Sequence, residues 1–403
     1  MMMTPLRVQT GLCSSSQVIS GGRRDCQVSD RCDKMRPGTI FGGVVLLCLS
    51  HIGWGFIKGC DTEQRCVQLA LCGQYLHYVN EAPKYWPPSV REEALQQLCD
   101  VQRGVNGSKI YYICCNRKEI LCGVTRVQLI AYGQQARAHA FPWMALLETS
   151  VSDELPCGGS LITDRHILTA AHCVKARKIV GVRVGVHDLN SDRKCDDRIH
   201  FRDDYDDSDE STETGETSDA EYSAGCRPPA QRIPIDTIVI HPKYSPRSKR
   251  NDLAIIRLQY PAIIGYSVIP ICLPLTEQLR AYRPSDSFVT GWGLTESGER
   301  SSVLRYAVLP AITLPDCAMR IKELDRVIVL DDAHLCAGGN NKTAHCNGDS
   351  GGPLQYVSDS TRFVLQGVVS FGVKTCGTKL APGVFANVTH FIEWIVREAN
   401  VLD

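Results

Sequence analysis

A serine hydroxyl becomes a nucleophile once a histidine takes its proton and a carboxylate steadies the imidazolium that results. Three short runs supply those groups in order: Thr169-Ala170-Ala171-His172-Cys173, Asn251-Asp252-Leu253-Ala254 and Gly348-Asp349-Ser350-Gly351-Gly352-Pro353. Each is weak alone, because lone histidines and Gly-Asp-Ser turns are common. All three at domain-scale separations point to one nucleophilic site. The glycines around Ser350 let the backbone come close to a substrate, with the N–H groups of Gly348 and Ser350 turned toward a developing oxyanion. No metal or cofactor is implied.

Residues so far apart need a rigid scaffold to meet. Short alternating runs such as Val182-Arg183-Val184 and Phe363-Val364-Leu365, separated by Gly, Pro and Asp turns, read as strands of a barrel-rich domain. Residues 389–400 read as a terminal helix with Phe391, Ile392, Ile395 and Val396 on its packed face. The chain has 403 residues and 43% hydrophobic composition, enough for packed cores. Its 44 basic and 44 acidic side chains cancel, which excludes a general nucleic-acid binder relying on basic excess.

Twenty cysteines point to an oxidising compartment. Six of them, Cys60, Cys66, Cys72, Cys99, Cys114 and Cys115, fall within 56 residues that hold too few apolar side chains for an independent core. Disulfides are expected to hold this segment. Zinc is the alternative, but the adjacent pair Cys114-Cys115 would not readily converge on one tetrahedral ion. Spacing alone leaves fifteen pairings open.

Upstream, residues 40–57 are apolar apart from Ser50 and His51, and follow Met35-Arg36-Pro37. A basic start, an apolar stretch and small residues describe a secretory signal peptide over 35–59. A signal anchor is the alternative, disfavoured by Gly53, Gly55 and the cysteines that follow. Residues 1–34, with Cys13, Cys26 and Cys32, are expected to be a gene-model extension ahead of the true start at Met35. No stable membrane association is expected.

The run from Cys60 to Cys115, ending Ile113-Cys114-Cys115, resembles the clip domain of arthropod serine proteases. Residues 130–403 resemble the chymotrypsin-like (S1) serine proteases through the three runs above. Phe141-Pro142-Trp143, Gly158-Gly159-Ser160-Leu161, Gly291-Trp292-Gly293 and Pro382-Gly383-Val384 add to the likeness. The resemblance implies a mostly β fold: a chymotrypsin-like double β-barrel protease domain (130–403) behind a small disulfide-rich clip domain (60–115), joined by a linker and activation segment (116–129). It implies His172 as base, Asp252 as orienting acid and Ser350 as nucleophile. It also implies the disulfides Cys60–Cys114, Cys66–Cys99, Cys72–Cys115, Cys122–Cys272, Cys157–Cys173, Cys195–Cys226, Cys317–Cys336 and Cys346–Cys376.

Such proteases are made as zymogens, activated when a new N-terminal amine pairs with the aspartate before the nucleophile, here Asp349. The family register places that amine on Ile130, after a cut at Leu129; Arg126 competes but would leave three surplus residues. The clip domain is expected to stay attached through Cys122–Cys272. The base of the specificity pocket falls on Ala344, with Gly372 and Gly383 on its walls, so an arginine would be buried there without a carboxylate. Cleavage after large apolar residues is expected. Asn106, Asn341 and Asn387 begin glycosylation sequons.

Residues 203–221 hold ten acidic and no basic side chains and read as a solvated loop closed by Cys195–Cys226. Calcium is a weaker alternative, since the family's glutamate ligand position falls on Val186. The expected function is a secreted endopeptidase zymogen in an extracellular cascade of innate immunity, melanisation or Toll signalling. Its partners would be protein substrates, an upstream activating protease and serpin-type inhibitors. A non-catalytic homologue acting as adaptor is the alternative. A digestive chymotrypsin would leave the clip domain unexplained.

Overall fold

The computed structural model describes residues 59–75, 86–105, 107–125, 135–150, 157–190, 229–295, 299–324, 327–338, 349–372 and 382–401. Its N-terminal module is a three-stranded antiparallel sheet of β1 (Gln64–Gln68), β2 (Leu98–Arg103) and β3 (Lys109–Asn116), ordered β1-β3-β2. Helix α1 (Pro88–Gln96) precedes β2. Successive side chains on a strand face opposite ways, so the adjacent pair on β3 staples both faces. Cys114 bonds to Cys60 and Cys115 to Cys72, while Cys66 bonds to Cys99.

The module does not rely on disulfides alone. Val67, Leu71, Tyr75, Trp86, Ala94 and Ile113 belong to the same apolar cluster as the sheet that follows. A polar hub adds to this contact. Gln68, 2% exposed, donates from Nε2 to Ala262 O (2.7 Å) and Asp164 Oδ2 (3.0 Å), and its Oε1 accepts from Ile264 N–H (3.1 Å). The Tyr112 hydroxyl donates to the same Asp164 oxygen at 2.6 Å. Burial, reinforced by that carboxylate, holds the Tyr112 phenol well above its ordinary range. Arg65 reaches the backbone oxygens of Asn400 and Val401, and the Cys122–Cys272 disulfide closes a separation of 150 residues.

The first large sheet holds seven strands, β4 (Met144–Thr149), β5 (Cys157–Leu161), β6 (His166–Thr169), β7 (Ile179–Val184), β8 (Gln231–Ile233), β9 (Ile235–Ile240) and β10 (Ala254–Leu258). They run β8-β7-β4-β5-β6-β10-β9. The two edge strands β8 and β9 are separated by Pro234 alone, so the sheet must curl round until its edges meet. Proline, lacking an N–H, fits at that break in the ladder. The second sheet is a closed barrel of β11 (Asp286–Gly291), β12 (Arg305–Ile312), β13 (His334–Gly338), β14 (Pro353–Val357), β15 (Phe363–Phe371) and β16 (Pro382–Asn387), ordered β11-β12-β13-β16-β15-β14. Among the described residues, helix α2 (Ala171–Lys175) follows β6, α3 (Glu277–Ala281) precedes β11 and α4 (Leu314–Leu324) follows β12.

Aromatic side chains from both sheets fill the seam. Trp143 and Phe363 lie 5.2 Å apart between ring centroids, and Phe288 packs 5.6 Å from Phe363. The buried indole N–H of Trp143 donates to Gln355 Oε1 at 2.6 Å, so the seam holds no stranded donor there. The terminal helix α5 runs Ile392–Glu398, shorter than the 389–400 expected from periodicity. Thr389 N–H bonds to Asn387 Oδ1, a local turn that competes with helix, and Asn400 is left-handed at φ +50°. Phe391, Ile392 and Ile395 are buried as expected, and so is Trp394. Among the described residues no helix is long and apolar enough to cross a membrane. The apolar run 40–57 lies outside them.

Candidate active site

Strands β6 and β10 are antiparallel neighbours, with Thr169 paired to Ala254. His172 lies three residues beyond Thr169 on α2, and Asp252 two residues before Ala254. The pairing therefore brings imidazole and carboxylate together at one end of the first sheet. The Cys157–Cys173 disulfide ties α2 to β5. Asp252 is 1% exposed, yet three donors meet its charge. Oδ1 accepts from His172 backbone N–H at 2.8 Å; Oδ2 accepts from His172 Nδ1 at 2.8 Å and from Ser370 Oγ at 2.5 Å. A buried carboxylate without such donors would carry a severe desolvation cost. Because an ionised carboxylate only accepts, His172 Nδ1 must carry its proton. Nε2 then carries the lone pair of a ring that is 25% exposed, and its neighbour at 3.7 Å, the disulfide-bonded Cys173 Sγ, has no proton to give it.

Ser350 comes from the other side of the seam. Its carbonyl accepts from Gly158 N–H on β5 at 2.8 Å. On its far side Gly351 N–H donates to Val369 O, and Val369 N–H returns a bond to Gly352 O, both at 2.9 Å. The Ser350 turn is thus pinned by the first sheet and by β15 of the barrel at once. Gly351 has φ +78°, and a Cβ there would lie 2.3 Å from Thr169 Oγ1 and 2.5 Å from Gly158 O. Thr169 Oγ1 is itself held, donating to Gly158 O at 2.8 Å. Gly351→Ala is expected to destabilise the protein by ~3 kcal/mol, combining left-handed strain with overpacking. It should also cut kcat/KM at least about 100-fold by moving the adjacent Ser350, the expected nucleophile. Thermal unfolding and steady-state kinetics check both, and a variant with wild-type Tm would contradict the packing described.

Asp349 Oδ1 accepts from Gly293 N–H at 3.0 Å, and a Cβ on Gly291 would meet that same oxygen at 2.1 Å. The Gly291-Trp292-Gly293 run is therefore shaped around the carboxylate that precedes Ser350. Its expected partner, the amine of Ile130, lies outside the described residues together with Leu129 and Arg126. Of the residues expected to line the specificity pocket, Gly372 follows the end of β15 and Gly383 sits on β16. Phe371 pairs with Val384, so one further step along the register sets Gly372 beside Gly383. Ala344, Gly348 and the disulfides Cys195–Cys226 and Cys346–Cys376 lie outside the described residues, as do Asn106, Asn341 and the acidic segment. Cys317 and Cys336 are bonded, linking α4 to β13. Asn387 ends β16 with its Nδ2 donating to Asp332 O at 2.9 Å. Val186 is buried and has no side-chain oxygen to offer a cation.

Ser370 was not among the residues singled out by the sequence, although it touches the buried carboxylate. The available signal was a hydroxyl interrupting the apolar end of Phe363–Phe371, just before Gly372.

Comparison with known proteins agrees with this geometry. The sequence profile described as Trypsin matches residues 130–214 and 211–395. Phenoloxidase-activating factor 3 of Holotrichia diomphalia is 34% identical over 311 residues, spanning 72% of this chain and 81% of that protein. Serine protease grass of Drosophila melanogaster is 34% identical over 285 residues, 68% of each chain. CLIP domain-containing serine protease HP8 of Bombyx mori is 32% identical, covering 70% of this chain and 72% of its own length. The crystal structure of the Drosophila Grass clip serine protease of the Toll pathway superposes with a TM-score of 0.54 at 29% identity. It covers 85% of this chain and 97% of that one.

Proposed function

The chain belongs to the trypsin family, in its clip-domain serine protease branch, and is a serine endopeptidase; from that premise we propose that Ser350, His172 and Asp252 carry the reaction. Ser350 Oγ attacks the scissile carbonyl as His172 Nε2 takes its proton, and the N–H groups of Gly348 and Ser350 receive the oxyanion. The imidazolium returns the proton to the leaving amine, and water repeats the cycle on the acyl-enzyme. The single observation that carries this reading is the Asp252–His172 bond at 2.8 Å, which puts the ring proton on Nδ1 and the accepting lone pair on Nε2.

The finer proposal is a secreted zymogen, cut after Leu129 and kept two-chain by Cys122–Cys272, with Ile130 pairing to Asp349. Its Ala344, Gly372 and Gly383 pocket takes large apolar side chains. The names of its relatives, which mention phenoloxidase activation and the Toll pathway, support placing it in an extracellular defence cascade. Its substrates are then proteins, its activator a protease that cuts after leucine, and its inhibitors serpin-type. Cleavage profiling on a peptide library, with the activated two-chain protein, tests the pocket. Phenylalanine or leucine peptides are expected to exceed arginine peptides by at least about 10-fold in kcat/KM, since an unpaired buried guanidinium is costly. Faster cleavage after arginine would overturn the assignment, and a clip fragment released on non-reducing electrophoresis would overturn the two-chain form.

A further inference from the structure

The proposed chemistry draws His172 and Asp252 from the first sheet, and Ser350 and Ser370 from the segments of the second. Anything that fixes one sheet against the other near Asp252 therefore bears on proton transfer. Asp252 is presented by the segment that joins β9 to β10, and that segment has an unusual backbone. Lys249 and Asn251 are left-handed at φ +56° and +54° without being glycine. Arg250 lies between them, its carbonyl accepting from Ser245 N–H at 3.0 Å, while Asn251 Nδ2 donates to Lys243 O at 2.8 Å. Two left-handed residues flanking a single position persist only where their surroundings hold them.

The hold comes from across the seam. Arg250 Nη2 donates to Asp331 Oδ2, on the segment that leads into β13 of the barrel. The other oxygen of Asp331 is anchored in the barrel itself. It accepts from His334 Nδ1 at 2.8 Å and from Ala333 N–H at 3.2 Å, and His334 is 3% exposed. The Arg250 and Asp331 side chains are 49% and 33% exposed. An ion pair so open adds little to overall stability. Its position matters more, because it grips the chain two residues from the carboxylate that orients His172.

We propose that Arg250 and Asp331 form a clamp between the sheets, positioning residues that hold the Asp252 segment, and through it His172, in register with Ser350. The proposal rests on the triad reading given above. Acting through the backbone two residues from Asp252, the pair should affect kcat and leave KM alone.

The test uses the activated two-chain protein and a small ester or peptide substrate. Arg250→Met is expected to lower kcat about 10-fold, with KM within twofold of wild type and Tm nearly unchanged. Asp331→Ala should lower kcat similarly, and the double variant should be no slower than either single one, because both remove one interaction. Arg250→Lys should recover most of the loss. If Asp331→Ala unfolds through loss of the His334 contact, Arg250→Met still decides, since it leaves that contact intact. Wild-type protein that labels with an organophosphate at Ser350, beside an Arg250→Met variant of unchanged kcat, would overturn the clamp alone. So would a rise in KM at constant kcat, or additive losses in the double variant. A wild type that takes no label would overturn the triad reading and the clamp with it.

Discussion

Replacing Ser350 by alanine is expected to lower kcat about a million-fold and to abolish labelling by an organophosphate probe. The size follows from what remains. His172 and Asp252 stay hydrogen-bonded in Ser350→Ala, since none of the three donors to Asp252 comes from Ser350. They then have only water to activate. Substrate binding and the oxyanion donors would still leave roughly a thousand-fold advantage over the uncatalysed reaction. The fold should be untouched, because Ser350 is held through its backbone carbonyl, which alanine keeps. A Tm within about 2 °C of wild type is expected, as for a change that removes no buried contact. Adding His172→Ala to Ser350→Ala should cost almost nothing more, since the two groups act as a unit. Activity above about 1% in the serine variant would place the nucleophile elsewhere. Wild-type protein that never labels after activation would favour a non-catalytic homologue.

The candidate site was legible where chemistry demands particular residue types in particular neighbourhoods. Gly351 had to be glycine because two groups of the opposite sheet occupy the place of its Cβ, and that constraint leaves a readable run around Ser350. The fold class was legible for a similar reason, since alternation in runs such as Val182-Arg183-Val184 reports a half-buried strand. Periodicity says which face is covered, however, and not by what. The Gln68 and Tyr112 hub joins residues 96 and 52 positions from Asp164, and nothing local marks a glutamine as destined for burial. Arg250 and Asp331 are 81 residues apart and look like ordinary surface charges in sequence. Ser370 escaped notice because a single serine in a strand is usually just tolerated. Helix α5 was overestimated at both ends because apolar spacing continues through residues whose backbone turns.

Asparagine in place of Asp252 is expected to lower kcat about 10⁴-fold while leaving KM and the fold close to wild type. The side chains are nearly the same shape, so the loss must come from charge and proton placement. The aspartate accepts at both oxygens: from His172 N–H, from His172 Nδ1 and from Ser370 Oγ. An asparagine has one accepting oxygen and one donating NH₂ group. If its oxygen keeps His172 N–H, its NH₂ faces His172 Nδ1 and makes that atom an acceptor. The ring proton then sits on Nε2, where it blocks proton uptake from Ser350. If the amide flips, its oxygen keeps His172 Nδ1 and Ser370 Oγ, but the His172 backbone N–H then faces the NH₂ group and loses its partner, and the imidazolium still lacks a counter-charge. Ser370→Ala provides the contrast. It removes one of three donors and keeps both the charge and the tautomer, so a loss of about 10-fold, near 1.4 kcal/mol, is expected. Measuring kcat and KM for both variants separates the roles. Equal losses in the two would mean that Asp252 serves mainly to complete a hydrogen-bond network, whereas a gap near a thousand-fold would mean that it sets the tautomer and charge of His172.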